Sequence, residues 1–209
     1  MTESRGILWF AAFATTFLLL PLRAAAQSGT VTDDAFLSTN STTQQLNLNG
    51  QGIVLIVAGS SASVGSASVG LTKSYVKFQL TSSLPPGTTA ANLAKATLKL
   101  FISPSCSPTG AIDIYPITSA WTESTLNPSS PPTYDSTPIN SSPVPVGKAD
   151  TFMVIDLTEL VQDWLESSSI SGSFQNNGIA LVANTSTTNV IFDSKESFVT
   201  SHEPRLESY

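Results

Sequence analysis

Charged residues are scarce in this chain, and basic residues are the scarcer kind. Only 11% of its 209 residues are Asp, Glu, Lys or Arg, against about 25% in a typical soluble domain. Acidic residues outnumber basic ones by 15 to 9, and the net charge is −6. Proteins that bind nucleic acid or anionic membranes need a surplus of Lys and Arg. The composition therefore predicts neither kind of partner.

Cysteine and histidine are nearly absent, since Cys106 and His202 are the only examples. One residue of each type cannot build a Cys/His zinc site, an internal disulfide or an iron–sulfur cluster. A Ser-His-Asp arrangement would have to use His202, and no Gly-x-Ser-x-Gly turn is present to display its serine. Phosphate-cradling, dinucleotide-binding and EF-hand motifs are also missing. We expect no catalytic residues and no cofactor.

The first 26 residues have the organisation of a secretory signal peptide. Arg5 precedes an apolar run at 7–22, and three alanines at 24–26 supply the small residues that a signal peptidase recognises. The alternative is an uncleaved membrane anchor, but the run is shorter than the roughly 20 residues that a span requires and contains Pro21. We predict cleavage after Ala26, a secreted protein with no membrane attachment, and one mature domain over 27–209.

Beyond residue 26 the chain is rich in Ser, Thr and Asn, with short β-branched runs between turns. Strand patterns occur at 31–37, 45–49, 53–58, 73–80, 96–102, 112–117, 151–155, 178–183, 190–193 and 205–209. In the 73–80 strand, alternation places Val76 and Phe78 in the core and Tyr75 in solvent. The SASVG sequence occurs twice within 61–70 and indicates a flexible loop. The proline-rich segment 127–147 cannot pair as a central strand and predicts a long surface excursion.

Helical periodicity occurs once, near 157–166. Leu157, Leu160, Val161, Trp164 and Leu165 follow the spacing of an amphipathic helix, with Trp164 in the buried stripe. The preceding Asp156 is a helix cap whose oxygen accepts the Glu159 amide. Many short strands and one helix predict an all-β fold, namely a two-sheet antiparallel β-sandwich with jelly-roll-like topology.

Candidate ligand contacts come from aromatic and charged residues outside the predicted strand cores. A ring face covers the apolar face of a pyranose, while charged groups and amides bind its hydroxyls. Tyr134 lies in the proline-rich excursion, and Trp121 follows a strand and is either a platform at the rim or a core residue. Scattered carboxylates leave glycoside cleavage as an alternative. A structural calcium ion held by Asp33, Asp34 and Asp193 is a second open alternative.

Several sequence pieces, in order, resemble the DNRLRE domain, which is also classed as carbohydrate-binding module family 96. The resemblance covers most of the mature chain. Its pieces are KSYVKFQL (73–80), LPPG (84–87), ATLKL (96–100), WTES (121–124), DLTELVQDW (156–164), NGIAL (177–181), FDSKE (192–196) and PRL (204–206).

The resemblance implies a secreted β-sandwich module that binds polysaccharide without cleaving it, often as part of a longer chain with further domains. We therefore predict a non-catalytic, extracellular polysaccharide-binding module. A structural or adhesive surface module that keeps the fold without sugar binding is the alternative. The candidate ligand-binding residues are Trp121, Glu123, Tyr134, Lys195 and Glu196, and for the last pair a surface ion pair is the competing interpretation.

Overall fold

The computed structural model describes residues 27–39, 54–64, 67–80, 84, 87–167, 175–197 and 202–209. The predicted signal peptide and the predicted strand at 45–49 lie outside these residues. Within the described ranges the elements are ten strands and one α-helix, with two short 3-10 helices at Ala90–Asn92 and Glu123–Thr125. They are β1 (Gln27–Ser38), β2 (Val54–Val64), β3 (Ala67–Gln79), β4 (Ala96–Ile102), β5 (Ala111–Pro116), β6 (Asn140–Pro143), β7 (Thr151–Asp156), α1 (Thr158–Ser167), β8 (Ile179–Ala183), β9 (Asn189–Asp193) and β10 (Arg205–Ser208).

All of these strands pair antiparallel, in the order β1-β10-β4-β9-β2-β3-β8-β5-β6, with β7 on the free side of β4. Strand β1 also pairs with β3. This pairing connects the two ends of the path β1-β10-β4-β9-β2-β3. The residues of β1 before Thr30 pair with β10, those from Thr30 onward pair with β3, and the register shifts between Val31 and Asp33. Bulges of this kind let one strand serve both layers of a sandwich. The predicted all-β fold with one short helix is confirmed.

The main core consists of the inward-facing residues of these strands together with the apolar stripe of α1. Phe78, Leu100, Ile114 and Phe192 are among its completely or almost completely buried side chains. Trp164 joins this core from α1, as its helical spacing predicts. The helix begins at Thr158 because the Asp156 carboxylate accepts its amide at 2.9 Å and its hydroxyl at 2.6 Å. The predicted acceptor, the Asp156 carboxylate, is confirmed. The predicted donor, the Glu159 amide, is wrong, because Thr158 donates instead.

A second, smaller hydrophobic cluster covers the opposite face of β1, β3 and β8. Tyr75 lies at its centre and is 1% exposed, so the prediction that this ring faces solvent is wrong. The reason is that the segment after β5 folds over this face and brings Ile117, Trp121 and Leu126 against Tyr75. Alternation correctly identified the two faces of β3, but it could not indicate that both are covered.

The described residues of the two SASVG copies, 61–64 and 67–70, form strands rather than the predicted flexible loop. Strands β2 and β3 continue through them as a hairpin, in which Ala62 pairs with Gly70 and Val64 with Ala67. Neighbouring β9 and β8 pair only with the earlier part of β2 and the later part of β3, so the hairpin extends beyond them. Backbone pairing between these two strands therefore includes small residues that carry no hydrophobic signal.

The proline-rich excursion behaves largely as its composition predicts. It runs along the outside of the sheet and contributes only β6, a four-residue strand at the end of the ladder that pairs with β5. Pro143 closes that strand opposite Ala111. Proline is tolerated there because an edge strand needs hydrogen bonds on one side only.

Candidate functional site

Three of the predicted site residues meet around one ammonium group. The Nζ atom of Lys195 contacts Glu123 Oε2, lies 2.5 Å from Glu196 Oε1 and is 3.6 Å from Asp34 Oδ1. We call Asp34, Glu123, Lys195 and Glu196 the ion cluster. Asp34 is fully buried, whereas the other three side chains are partly exposed.

Three separate chain segments supply these side chains, and hydrogen bonds from backbone amides to aspartate carboxylates hold the segments together. Asp34 comes from β1, and its Oδ2 accepts the Lys195 amide at 2.8 Å. Its neighbour Asp33 accepts the Glu123 amide at 2.9 Å, at the start of a 3-10 helix. Lys195 and Glu196 belong to the turn after β9. Consecutive aspartates in β1 therefore bind the other two segments, and the ion cluster joins Asp34 to Lys195, 161 positions later in the chain.

The electrostatics of the ion cluster follow from burial and close charge. Burial raises the pKa of Asp34 from its ordinary 3.8 to about 7, although the Lys195 amide and ammonium both oppose that rise. Burial disfavours the charged form of Lys195, but hydrogen bonds to Glu123 and Glu196 outweigh it and raise the pKa of that ammonium. Lys195 thus carries a firmly held positive charge that compensates the surrounding carboxylates.

The arrangement also bears on the expected calcium ion. Oxygens of Asp34, Glu123 and Glu196 lie within 4.8 Å of one another, a spacing suited to a cation. The Lys195 ammonium supplies that positive charge here. Asp193, a predicted ligand, is not in this group, and its Oδ2 lies 3.7 Å from His202 Nδ1. The carboxylates that come together are thus a different set from the one expected, and a calcium ion stays a prediction.

Trp121 lies in the interior, which was the alternative to its role as a platform. The residue is 6% exposed and packs in the second cluster, where its ring centroid is 5.9 Å from that of Tyr75. Its indole nitrogen donates to the Asn177 carbonyl at 2.7 Å. A ring held in this way cannot offer its face to a sugar, but it anchors the segment that carries Glu123.

Tyr134 is half-buried, and its contacts are with residues outside the ion cluster. Its hydroxyl accepts a hydrogen bond from Lys73 Nζ at 2.7 Å, and its ring packs against Tyr115 at 5.0 Å. Of the five predicted residues, three therefore belong to the ion cluster. The other two are Trp121, which lies in the core, and Tyr134, which pairs with Lys73.

The only histidine of the chain lies against aromatic rings. His202 stacks on Phe101 with a centroid distance of 3.8 Å and meets Phe152 edge-on at 5.5 Å. The imidazole thus packs against two aromatic side chains, while its Nδ1 lies 3.7 Å from the Asp193 carboxylate.

Sequence reasoning missed Asp34 as a partner of Lys195 and gave no role to Lys73. Asp34 was noted only as an ion ligand, because nothing in the sequence relates β1 to a turn so far along the chain. Lys73 did carry a signal, since alternation puts it on the same face as Tyr75. That face was taken to be uniformly solvated.

Comparison with known proteins agrees with the all-β architecture. The family model described as carbohydrate-binding module family 96 matches residues 25–208. A comparison with curated proteins found no match. Within the part of the chain that the structure describes, no helix combines the length and apolarity needed to cross a membrane.

Proposed function

Because the chain belongs to carbohydrate-binding module family 96, we propose that it is a secreted, non-catalytic module that binds polysaccharide outside the cell. The family match over residues 25–208 is the observation that carries this proposal, since it spans the whole described sandwich. The signal-peptide pattern at 1–26 supports secretion.

The ion cluster supports the non-catalytic part of the proposal. Glycosidases place two carboxyl groups about 5 to 9.5 Å apart, on either side of the bond that is cleaved. Glu123 and Glu196 instead contact the same Lys195 ammonium, which occupies the space between them. The sugar has no room between two carboxylates that are already bridged by a cation.

The experiment is a binding assay with the mature chain, residues 27–209. The purified protein is run in affinity gels and titrated with neutral and uronic-acid polysaccharides, with and without a calcium chelator. We expect saturable binding to at least one polymer. Absence of retention on every polymer by the folded protein would contradict polysaccharide binding. Loss of binding in chelator alone, restored by calcium, would establish the predicted calcium ion.

The same polymers test for catalysis. Prolonged incubation at substrate concentrations that saturate binding should release neither reducing ends nor unsaturated products. Release that persists in a preparation repurified to constant specific activity would overturn the non-catalytic assignment.

A structural or adhesive surface module without sugar binding is the second candidate. The observation that favours it is that Glu123, Lys195 and Glu196, predicted as ligand contacts, bind one another instead. If the ion cluster were the sugar site of this chain, its polar groups would already be largely satisfied. This candidate predicts an intact fold with no polysaccharide binding in the assay above.

A further inference from the structure

A groove of about 640 Å³ lies on the outer side of β1, β3 and β8, away from the ion cluster. The proline-rich excursion forms one wall through Pro128 and Pro131, and the turn between β8 and β9 contributes Asn184, Thr185 and Ser186. This volume falls in the range of about 300 to 1,000 Å³ that is usual for small-molecule sites.

The lining of the groove combines apolar surface with short polar groups. Leu71 and Val182 supply aliphatic surface, and Leu71 is 49% exposed. Hydroxyl and amide groups come from the β8–β9 turn, where residues 184–186 are exposed. A pyranose has an apolar ring face and a polar equator, so a lining of this mixed kind can contact both.

Among the described residues, Lys73 is the only charged one that lines the groove. Its ammonium donates to the Tyr134 hydroxyl at 2.7 Å, which uses one of its three hydrogens. No carboxylate forms an ion pair with it among the described residues, whereas Lys99 pairs with Glu207 at 2.7 Å. In a chain with net charge −6, the groove thus holds an uncompensated cation with two donors to spare.

The β8–β9 wall is held in place by close backbone packing. Strand β2 passes over the turn at Gly59, where a Cβ atom would come within 1.8 Å of the Thr185 carbonyl oxygen. The Gly59 amide donates to the Thr188 carbonyl at 3.0 Å. A wall fixed in this way loses little freedom when a ligand binds, which favours affinity.

A second cavity of similar volume lies at the start of α1, but its charge is opposite. Asp156, Glu159 and Asp163 line it together with Lys95. Part of its polar surface is already committed, because Asp156 caps α1. The groove beside Lys73 is therefore the better ligand site of the two.

We propose that the groove beside Lys73 holds a short segment of a glycan chain, with sugar rings against Leu71 and Val182 and a sugar oxygen accepting from the Lys73 ammonium. This inference rests on the proposed function and adds the place where the sugar binds. A hydroxyl of a neutral sugar and a carboxylate of a uronic acid share the required chemistry, namely an oxygen acceptor at the Lys73 end.

Two substitutions test the groove, each with a matched control. Ser186→Trp fills it from the exposed turn, and Thr187→Trp adds the same ring at the next position, outside the groove lining. Lys73→Met removes the free donors, and Lys148→Met removes an exposed lysine elsewhere. Near-ultraviolet circular dichroism and thermal unfolding verify that each variant is folded.

Affinities are measured by titration with neutral and with uronic-acid oligosaccharides. We expect Ser186→Trp and Lys73→Met each to weaken binding by about tenfold or more, the loss typical of a charge-assisted hydrogen bond or of a blocked site. Both controls should bind as the parent does. If the acceptor is a carboxylate, the effect of Lys73→Met will shrink as salt is raised, and if it is a hydroxyl, the effect will stay constant.

Chemical-shift mapping on the parent protein keeps the test decisive if a variant fails to fold. Titrated sugar should perturb the amides at 71–73 and 182–186. Undiminished binding by both groove variants, or perturbation confined to other regions, would overturn the groove while leaving polysaccharide binding intact. Failure of the parent to bind any sugar would overturn both proposals.

Discussion

Two lysines of this chain occupy contrasting environments, and the difference separates structure from recognition. Lys195 contacts three carboxylates, one of which is fully buried, and joins three distant segments of chain. Lys73 is exposed, touches a neutral tyrosine hydroxyl and borders an open groove. A charge already surrounded by opposite charge stabilises the fold, whereas a charge with only a neutral partner stays available to a ligand.

The largest loss of stability should come from a substitution in the second hydrophobic cluster, which has residues close to both lysine environments. Trp121 precedes Glu123 by two residues and packs in the same cluster as Leu37, a groove residue. We expect Trp121→Ala to lower the free energy of unfolding by about 3 to 5 kcal/mol, because it leaves a cavity and an unpaired Asn177 carbonyl. Urea denaturation measures the change.

Trp121→Phe is the control, and it should cost less because most of the ring volume remains. A Trp121→Ala variant with unchanged stability would show that the ring is not in the core and would reopen its role as a platform for sugar.

Removing the ammonium of the ion cluster should have the next largest effect on stability. Lys195→Met leaves the Asp34 carboxylate without its ammonium partner, and we expect a loss of about 3 kcal/mol in unfolding free energy. Polysaccharide affinity of the folded fraction should remain as in the parent. Parallel urea denaturation and affinity measurements, with Lys148→Met as control, check both statements. A strong loss of affinity at full stability would instead assign sugar binding to the ion cluster.

The pH dependence of stability should report on Asp34. Its pKa is 3.8 when unfolded and about 7 when folded, so between these values the unfolded chain releases a proton that the folded chain keeps. The contribution of Asp34 to the free energy of unfolding is therefore greatest below pH 3.8 and falls as pH rises toward 7. The slope of this free energy against pH reflects about one proton, which the folded chain holds and the unfolded chain releases. Lys195, Glu123 and Glu196 are the charged groups that face it.

Asp34→Asn isolates this contribution, because asparagine retains an oxygen that can accept the Lys195 amide. Unfolding free energies of parent and variant, measured from pH 4 to pH 7, should converge or cross as pH rises. Parallel curves over this range would show that the pKa of Asp34 is not raised.

The smallest effect on stability should be that of Lys73→Met. An exposed lysine whose partner is a neutral hydroxyl contributes little, so we expect a change within about 0.5 kcal/mol in unfolding free energy. Thermal unfolding beside Lys148→Met provides the measurement. A destabilisation comparable to that of Lys195→Met would contradict the inference that Lys195 stabilises the fold and Lys73 does not.

Much of the fold was predictable because it depends on local pattern. Hydrophobic alternation predicts the strands β3, β4 and β7, and helical spacing predicts the helix α1. The predictions for Tyr75 and for the SASVG copies were wrong because neither outcome depends on local hydrophobic pattern. The burial of Tyr75 depends on a segment more than 40 positions later, and the hairpin depends on backbone pairing that leaves no mark on side-chain hydrophobicity.

The candidate site was predictable only in part. Glu123, Lys195 and Glu196 come together in the ion cluster, but their role as ligand contacts stays a prediction. Asp34, which completes the cluster, lies 161 positions from Lys195. Lys73 was overlooked since a lysine in an alternating strand is usually an ordinary solvent contact.

The amino-acid sequence by itself determined the strand-rich pattern, the single amphipathic helix and the lack of Cys/His chemistry, because each of these depends on residue type and short spacing. Only the tertiary structure decided which lysine is enclosed by carboxylates and which borders a groove. Charge compensation is set by distances of a few ångströms between segments that the chain brings together from far apart, and those distances exist only once the sandwich has closed.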